Sequence, residues 1–289
     1  MKIFRTHLPH FLIVILIVSA VAISYVAFGE GYQSSNLSVA FLDVGQGDAI
    51  FIEAPNGHQM LIDGGANGRI LEALGEVMPF GDRSIDVVMA THTDADHIGG
   101  LPSVLSNYDV GYVIENGSSS NTKIYQSFEK MIKDYNVEKV IAQRGTKIFL
   151  DEEKNISFDI IFPDRYISGF ESNDGSIVGK ISYGAHSFML TGDATKYTEL
   201  LIMRNENPET LHSTVLKLGH HGSHTSSSEK WLRSVSPDIA IISAGKNNRY
   251  GHPHEDVLAR LRSLAIPYLA TYDEGNIIFE TDGLTLKQK

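Results

Sequence analysis

The chain contains no cysteine. Disulfide stapling and thiolate metal ligation are therefore excluded, and any metal must be held by imidazole and carboxylate. Basic residues are scarce as well, with 24 Lys and Arg against 35 Asp and Glu and a net charge of -11. Long polyanions are normally gripped by clustered Lys and Arg, so this balance argues against a basic nucleic-acid clamp. It leaves phosphodiester chemistry open, because metal cations can neutralise a reacting phosphate locally. No Pro/Gly/Ser-rich linker interrupts residues 37–289, so one folded domain is expected there. The 42% hydrophobic content supplies its core.

Long apolar runs are absent but for one. Phe11 to Phe28 reads FLIVILIVSAVAISYVAF, eighteen positions without a charge, long enough to cross a bilayer as one helix. Lys2 and Arg5 precede it. Read as an uncleaved anchor, it leaves residues 1–10 in the cytosol and, beyond a linker over 29–36, places the rest outside. A cleaved signal segment, with a secreted product, is the rival reading.

What is present is concentrated at Thr91-His92-Thr93-Asp94-Ala95-Asp96-His97-Ile98-Gly99-Gly100. His92, Asp94, Asp96 and His97 crowd one short loop after the apolar run Ile85–Ala90. Two carboxylates that close repel each other, and a divalent cation is the usual remedy. A solvated acidic loop would explain neither the spacing nor the glycine pair.

Strands are expected over Leu37–Val44, Asp48–Ala54 and Gln59–Ile62, joined by Gly45-Gln46-Gly47 and by the hairpin signal Pro55-Asn56-Gly57. A helix over Ile70–Val77 and a strand over Ile85–Ala90 then deliver the chain to His92. Further on, strands are expected over Ile156–Phe162, Ser176–Tyr183, Ser187–Leu190, Thr214–Leu218, Ile239–Ser243, Tyr268–Thr271 and Asn276–Glu280. Helices are expected over Lys196–Met203, Glu229–Ser234 and His254–Leu264. Two sheets covered by helices fit this order. Three strand ends carry polar groups: the His92 loop, Thr191-Gly192-Asp193, and Gly219-His220-His221-Gly222.

The first group resembles the H-x-H-x-D-H signature of metallo-β-lactamase fold hydrolases, with Asp94 where the second His usually stands. FLDVGQGDAIFIE, MLIDGG, THTDADHIGGL, MLTGDA, VLKLGHHGSHTSSS and NNRYGHPH together resemble the C-terminal hydrolase domain of ComEC-type DNA-uptake proteins. That resemblance implies an α/β fold, an αββα sandwich of two mixed sheets covered by helices, with one or two divalent ions at the sheet edges. It implies His92 and Asp94 on one ion, Asp96 and His97 on the other, Asp193 bridging, and His221 completing the second. His220 is then a neighbouring ligand or a proton donor.

The chain departs from the family pattern where a further His is usual. His186, at the start of a strand, suits a structural role, and Asn173 or Ser176 is the candidate for the vacancy. With Asp for His, the set shifts from zinc toward manganese, although both metals accept these ligands. By the same analogy Asp96 orients the attacking water and His220 or His252 protonates the leaving oxygen. The resemblance also implies that Asp43, Asp48 and Asp63 lie in loops beneath the metals, supporting ligand histidines.

Ser226 and Glu229 fit a capping box, and the helix start beside Ser223 offers N–H groups to a phosphate. Arg249, His252 and His254 are expected to face the cleft, with Pro253 near the first turn of the following helix. The leading functional expectation is an extracytoplasmic, membrane-tethered phosphodiesterase or nuclease acting on DNA or nucleotides. The alternatives are a small-molecule hydrolase of lactone, phosphonate or β-lactam type and a metal-stabilised binding module without catalysis. Lys217, Lys246 and Arg249 along one groove wall would favour a polymer.

Overall fold

The computed structural model describes residues 35–289, together with positions 16, 18 and 19. Apart from those three positions, the expected tip over 1–10 and the anchor or signal segment over 11–28 lie outside the described residues, as does most of the linker. Among the described residues no helix is long and apolar enough to cross a membrane. The chain divides into residues 1–35 and 36–289, and the second unit carries all that follows.

Its β-branched runs pair into two sheets. The first contains β1 (Leu37–Phe41), β2 (Ile50–Glu53), β3 (Gln59–Ile62), β4 (Ser84–Ala90), β5 (Asp109–Glu115) and β6 (Glu138–Ile141) in that order, with β14 (Ile277–Thr281) and β15 (Leu286–Gln288) added beside β1. The second runs from β7 (Lys147–Asp151) through β8 (Ile156–Phe162), β9 (Val178–Tyr183), β10 (His186–Leu190), β11 (Val215–Lys217) and β12 (Ile239–Ile242) to β13 (Tyr268–Ala270). Each sheet is mixed, with β3 to β6 parallel in one and β10 to β13 parallel in the other.

Strand parity sets the layers. Val39, Phe41, Ile52, Met60 and Ile62 point between the sheets and meet Phe158, Ile160, Phe188, Val215 and Ile241. Their neighbours Ala40, Phe51 and Leu61 point outward under α1 (Arg69–Val77), α2 (Ala95–Ile98), α3 (Leu101–Asn107) and α4 (Lys123–Asp134), which bury Leu74, Ile98, Val104 and Phe128 against them. On the far side Met189, Leu216 and Ala240 lie under α5 (Lys196–Asn205), α6 (Pro208–Leu211), α7 (Glu229–Val235) and α8 (Glu255–Ser263), which contribute Ile202, Leu211, Trp231 and Leu261. A last short helix, α9, spans Thr271–Glu274. Burial on both faces is why these strands read as continuous apolar runs. The result is the expected αββα sandwich.

Residues 101–151, to which sequence reading assigned no elements, hold α3, β5, α4, β6 and β7. The signal is weak because β6 is exposed along its whole length, so no apolar pattern marks it. The capping box also needs correction. Ser228, not Ser226, caps α7 by accepting from Trp231 N, while Ser226 Oγ donates to Gly219 O and Ser223 O. Pro253 precedes the N-cap residue His254 and lies outside α8.

Candidate metal centre

Three strand ends converge at one edge of the sandwich. Directly after β4, Thr91 and His92 lead into α2, whose N-cap is Asp94 and whose single turn carries Asp96 and His97. Glycine makes that turn possible: a Cβ at Gly100 would stand 2.1 Å from Gly64 O, so the two glycine pairs let this backbone and the Asp63 loop touch. Gly64 N donates to His97 O at 2.7 Å and Gly100 N to Gly65 O at 3.0 Å. Gly47 performs the same service on the other side, since a Cβ there would lie 1.9 Å from Asp96 O.

Asp193 follows β10, and its backbone N–H donates to Ser176 Oγ. After β11, His220 and His221 both adopt left-handed conformations, with φ of 47° and 54°. Two consecutive side-chain-bearing residues in that region carry strain of the kind that collects at functional sites. It is held by Ser226 Oγ on Gly219 O and by His220 N on Gly192 O.

The hydrogen bonds assign the imidazole faces. His97 Nδ1 donates to Asp63 Oδ2 at 2.7 Å, and His221 Nδ1 donates to Ser243 O at 2.8 Å. Thr91 Oγ1 spends its one proton on Asp63 Oδ2, so at 3.0 Å it accepts from His92 Nδ1. All three rings therefore direct Nε2 inward. These three Nε2 atoms and Asp193 Oδ1 are buried without a hydrogen-bond partner. Asp193 sits between them, with Oδ1 3.3 Å from His97 Nε2 and Oδ2 3.4 Å from His221 Nε2. Asp96 Oδ2 is 3.4 Å from His221 Nε2, and Asp94 Oδ2 is 3.8 Å from His92 Nε2. Orphaned imidazole nitrogens facing carboxylates are the donor set a divalent cation requires. The residues fit such an ion.

Electrostatics agree with that arrangement. Burial and the neighbouring His97 push His92 down to about 4. Burial alone would lower His97 and His221 too, but the carboxylates outweigh it. Asp193 and Asp63 lift His97 well above its ordinary value, and Asp193 and Asp48 lift His221 to about 9. Burial opposes ionisation of Asp193 and Asp96, yet the surrounding imidazoles hold both well below the carboxylate range. Without a cation the cluster is balanced by protons on imidazole.

The other predicted residues scatter around this core. His220 Nε2 lies 3.8 Å from Asp193 Oδ2, and its Nδ1 contacts Thr225 Oγ1 at 2.9 Å. Asn173 reaches His220 at 3.3 Å, while Ser176 is fully buried and serves the Asp193 backbone. Ser223 Oγ accepts from the N–H and hydroxyl of Thr225. His252 stands 5.2 Å from the His220 ring, driven down to about 4 by burial and the adjacent imidazoles. His254 accepts from His224 N, and Arg249 lies exposed over Tyr250.

Asp63 supports His97. Asp43 instead accepts from Gly45 N within its own turn, and the second carboxylate under the rings is Asp48, with Oδ1 3.3 Å from His221 Nδ1. The N–H groups of Ser227 and Ser228, foreseen as a phosphate cradle, are already taken by the buried carboxylate of Glu199. Lys217 is 0% exposed and so forms no groove wall. The sequence marks neither Glu199 nor the burial of Lys217 directly; the signal for Lys217 is parity, since it shares the inner face of β11 with Val215.

Two cavities reach outlying members of this set. One of about 350 Å³ is lined by Asp94, Glu171, Asn173, Asp174, Thr195 and His220. The other, about 340 Å³, is lined by Lys246, Asn248, His252, Pro253, Tyr272 and Asp273.

Residues 42–246 match the family model of the metallo-beta-lactamase superfamily. The chain belongs to that superfamily. It is 34% identical over 262 residues to ComE operon protein 3 of Bacillus subtilis, covering 84% of this chain and 33% of that protein. It is 30% identical to competence protein ComA of Neisseria gonorrhoeae, covering 86% of this chain and again 33% of the other. The chain thus spans about a third of the length of these curated relatives. Among solved structures, the metallo-beta-lactamase fold protein YhfI from Bacillus subtilis superposes with a TM-score of 0.57 at 10% identity, covering 85% of this chain and all of YhfI. Metallo-beta-lactamase hydrolase architecture and a buried His/Asp group suited to metal are therefore features of this chain.

Proposed function

We propose that the chain is a metal-dependent hydrolase of phosphodiesters, with DNA or nucleotides as the substrate class. The observation that carries this reading is the trio of unpartnered, inward Nε2 atoms around Asp193, with the part-exposed carboxylates of Asp94 and Asp96 beside them. His92, His97, His221 and Asp193 would hold the ion or ions, with Asp94 and Asp96 completing the set from the solvent side. A divalent ion there, manganese or zinc, supplies Lewis acidity and makes hydroxide available near neutral pH.

The chain's own residues do the remainder. Asp96, partly open to solvent and held ionised by His221, is placed to accept a hydrogen bond from the attacking water and so orient it. His220 and His252 stand with ring centroids 5.2 Å apart beside His221; burial lowers both imidazoles, so either protonates the leaving oxygen only once the negative charge of a bound substrate has raised it. Arg249, exposed over Tyr250 and within electrostatic reach of Asp96, offers a guanidinium to an anionic substrate. Asp63 and Ser243 fix the tautomers of His97 and His221, which keeps the inward nitrogens aligned.

The names of the competence-related relatives support a nucleic-acid substrate. The apolar stretch over 11–28, taken as anchor or signal, supports action outside the cytosol. A second reading, hydrolysis of a small molecule, draws support from the cavities, whose 350 and 340 Å³ suit a ligand of roughly nucleotide size, and from the absence of Lys217 from any groove wall. Assays of bis-p-nitrophenyl phosphate, single- and double-stranded DNA, a lactone and a β-lactam, each with manganese, zinc or chelator, separate the two. Chelator-sensitive turnover of the phosphodiesters supports the proposal. Turnover confined to the lactone or β-lactam overturns it in favour of the second reading.

A further inference from the structure

Lys217 is a fully buried lysine beneath the cluster, and the chemistry above does not use it. Its Nζ contacts Asp48 Oδ2, donates to Gly192 O at 2.8 Å and lies 3.8 Å from Asp193 Oδ1. Asp48 is itself buried, with its two oxygens 3.3 Å from His221 Nδ1 and 3.8 Å from His97 Nδ1. Asp48, His97, Asp193 and His221 offer donor atoms all within 4.8 Å of one another. By distance alone Asp48 is thus as well placed for a cation as Asp193.

The two carboxylates differ in how closely Lys217 meets them: its Nζ touches Asp48 Oδ2 directly but stands 3.8 Å from Asp193 Oδ1. An unpaired carboxylate in a buried site is the strongest attractor for a cation, and a paired one is largely spent. Lys217 reaches its place because Thr191 Oγ1 donates to Lys217 O, locking the end of β11 to the Asp193 loop, and because strand parity turns its side chain inward. It faces Asp48 on the Nδ1 side of the rings, whereas the bare Nε2 atoms lie on the other.

We propose that Lys217 is a built-in cation that neutralises Asp48 and withholds it from the metal shell, so that the ion is confined to the Nε2 side with Asp193. Lys217 is a positioning residue: it acts on the ion through Asp48 and Asp193. The proposal rests on the reading of the cluster as a divalent-cation site.

A double-substitution cycle on the full chain tests it, read as manganese affinity and stoichiometry by calorimetry and by the electron paramagnetic resonance of bound Mn²⁺, with circular dichroism for folding. Lys217→Met bares Asp48, and Mn²⁺ binds at least about tenfold tighter or gains a second equivalent, with an altered resonance spectrum. Asp48→Asn frees the ammonium to compete at Asp193, and Mn²⁺ binds at least about tenfold weaker. Lys217→Met/Asp48→Asn removes both charges, leaves no unpaired buried ion, and returns affinity to within about threefold of wild type. Should Lys217→Met fail to fold, the double variant decides alone. Near-wild-type binding by the double variant supports the assignment. Loss of Mn²⁺ from the double variant makes Asp48 a ligand and overturns it, as does a folded Lys217→Met chain that binds no more tightly than wild type. A wild-type chain that takes up neither Mn²⁺ nor Zn²⁺ removes the cation site itself, and this inference with it.

Discussion

His97 Nδ1 donates to Asp63 Oδ2 over 2.7 Å, and Asp63 holds that position from a left-handed backbone conformation with φ of 59°. The same carboxylate accepts from Thr91 N and Thr91 Oγ1, so one side chain fixes His97 directly and His92 through the threonine hydroxyl. Asparagine tolerates the same backbone conformation. Asp63→Asn is therefore expected to fold while losing the charge behind two imidazoles, and metal affinity should fall about 10- to 100-fold. Calorimetric titration of zinc or manganese checks it; unchanged affinity would show that Asp63 serves only the turn.

Asp193 is the carboxylate to which both His97 and His221 turn their bare nitrogens. Asp193→Asn keeps the shape and removes the charge. Tightly bound metal should be lost, and hydrolysis of bis-p-nitrophenyl phosphate should drop to the level seen with chelator. Stoichiometric metal in the folded variant would contradict the placement of the ion.

Glu199 is buried in α5 and accepts from Ser227 N and Ser228 N at the start of α7. Burial raises its carboxyl above its ordinary value despite those donors. Glu199→Ala strands two amide donors, at a cost of about 1–3 kcal/mol, and melting should fall by several degrees. Because Ser226 of the same loop braces Gly219, turnover should fall too, whereas Glu199→Gln retains an acceptor and is milder. Thermal scans on the three proteins distinguish them.

Glu115 gives a pH signature away from the metal. Burial raises its carboxyl to about 7, and its partner Lys139, 2.9 Å away, is a third exposed and shared with Glu129. Those contacts strengthen the Lys139 proton, but solvent screens their pull on Glu115, so burial sets the direction for Glu115. A carboxyl whose folded value exceeds its unfolded one stabilises fully below about 4.5 and loses that contribution as pH climbs through about 7. Glu115→Gln should melt as wild type does at pH 4, and a few degrees higher at pH 8. A variant less stable at pH 8 would mean that the ion pair with Lys139 outweighs burial.

Much of this was legible in the sequence, because the crowded loop at His92 to His97 follows an apolar strand and the Gly-His-His-Gly turn follows another. Local charge density cannot be hidden by folding. The harder parts depended on chain path. Asp43 and Asp48 flank the same turn, Val44 to Gly47, and only its course sends Asp48 under the rings. Lys217 reads as a surface lysine until its parity within β11 is known. Ser226 has the capping-box spacing to Glu229 and Ser228 does not, yet Ser228 is the cap, because the carboxylate of Glu199 from a distant helix holds the Ser227 and Ser228 N–H groups. β6 left no trace, since an exposed edge strand carries no apolar alternation.

The most direct test is anomalous diffraction from crystals of the protein grown with manganese or zinc. The account predicts a peak bonded to His97 Nε2, His221 Nε2 and an Asp193 oxygen at about 2.0–2.2 Å, with Asp48 still paired to Lys217. A peak on the Nδ1 side of the rings, or none in a protein that hydrolyses its substrate, would contradict it.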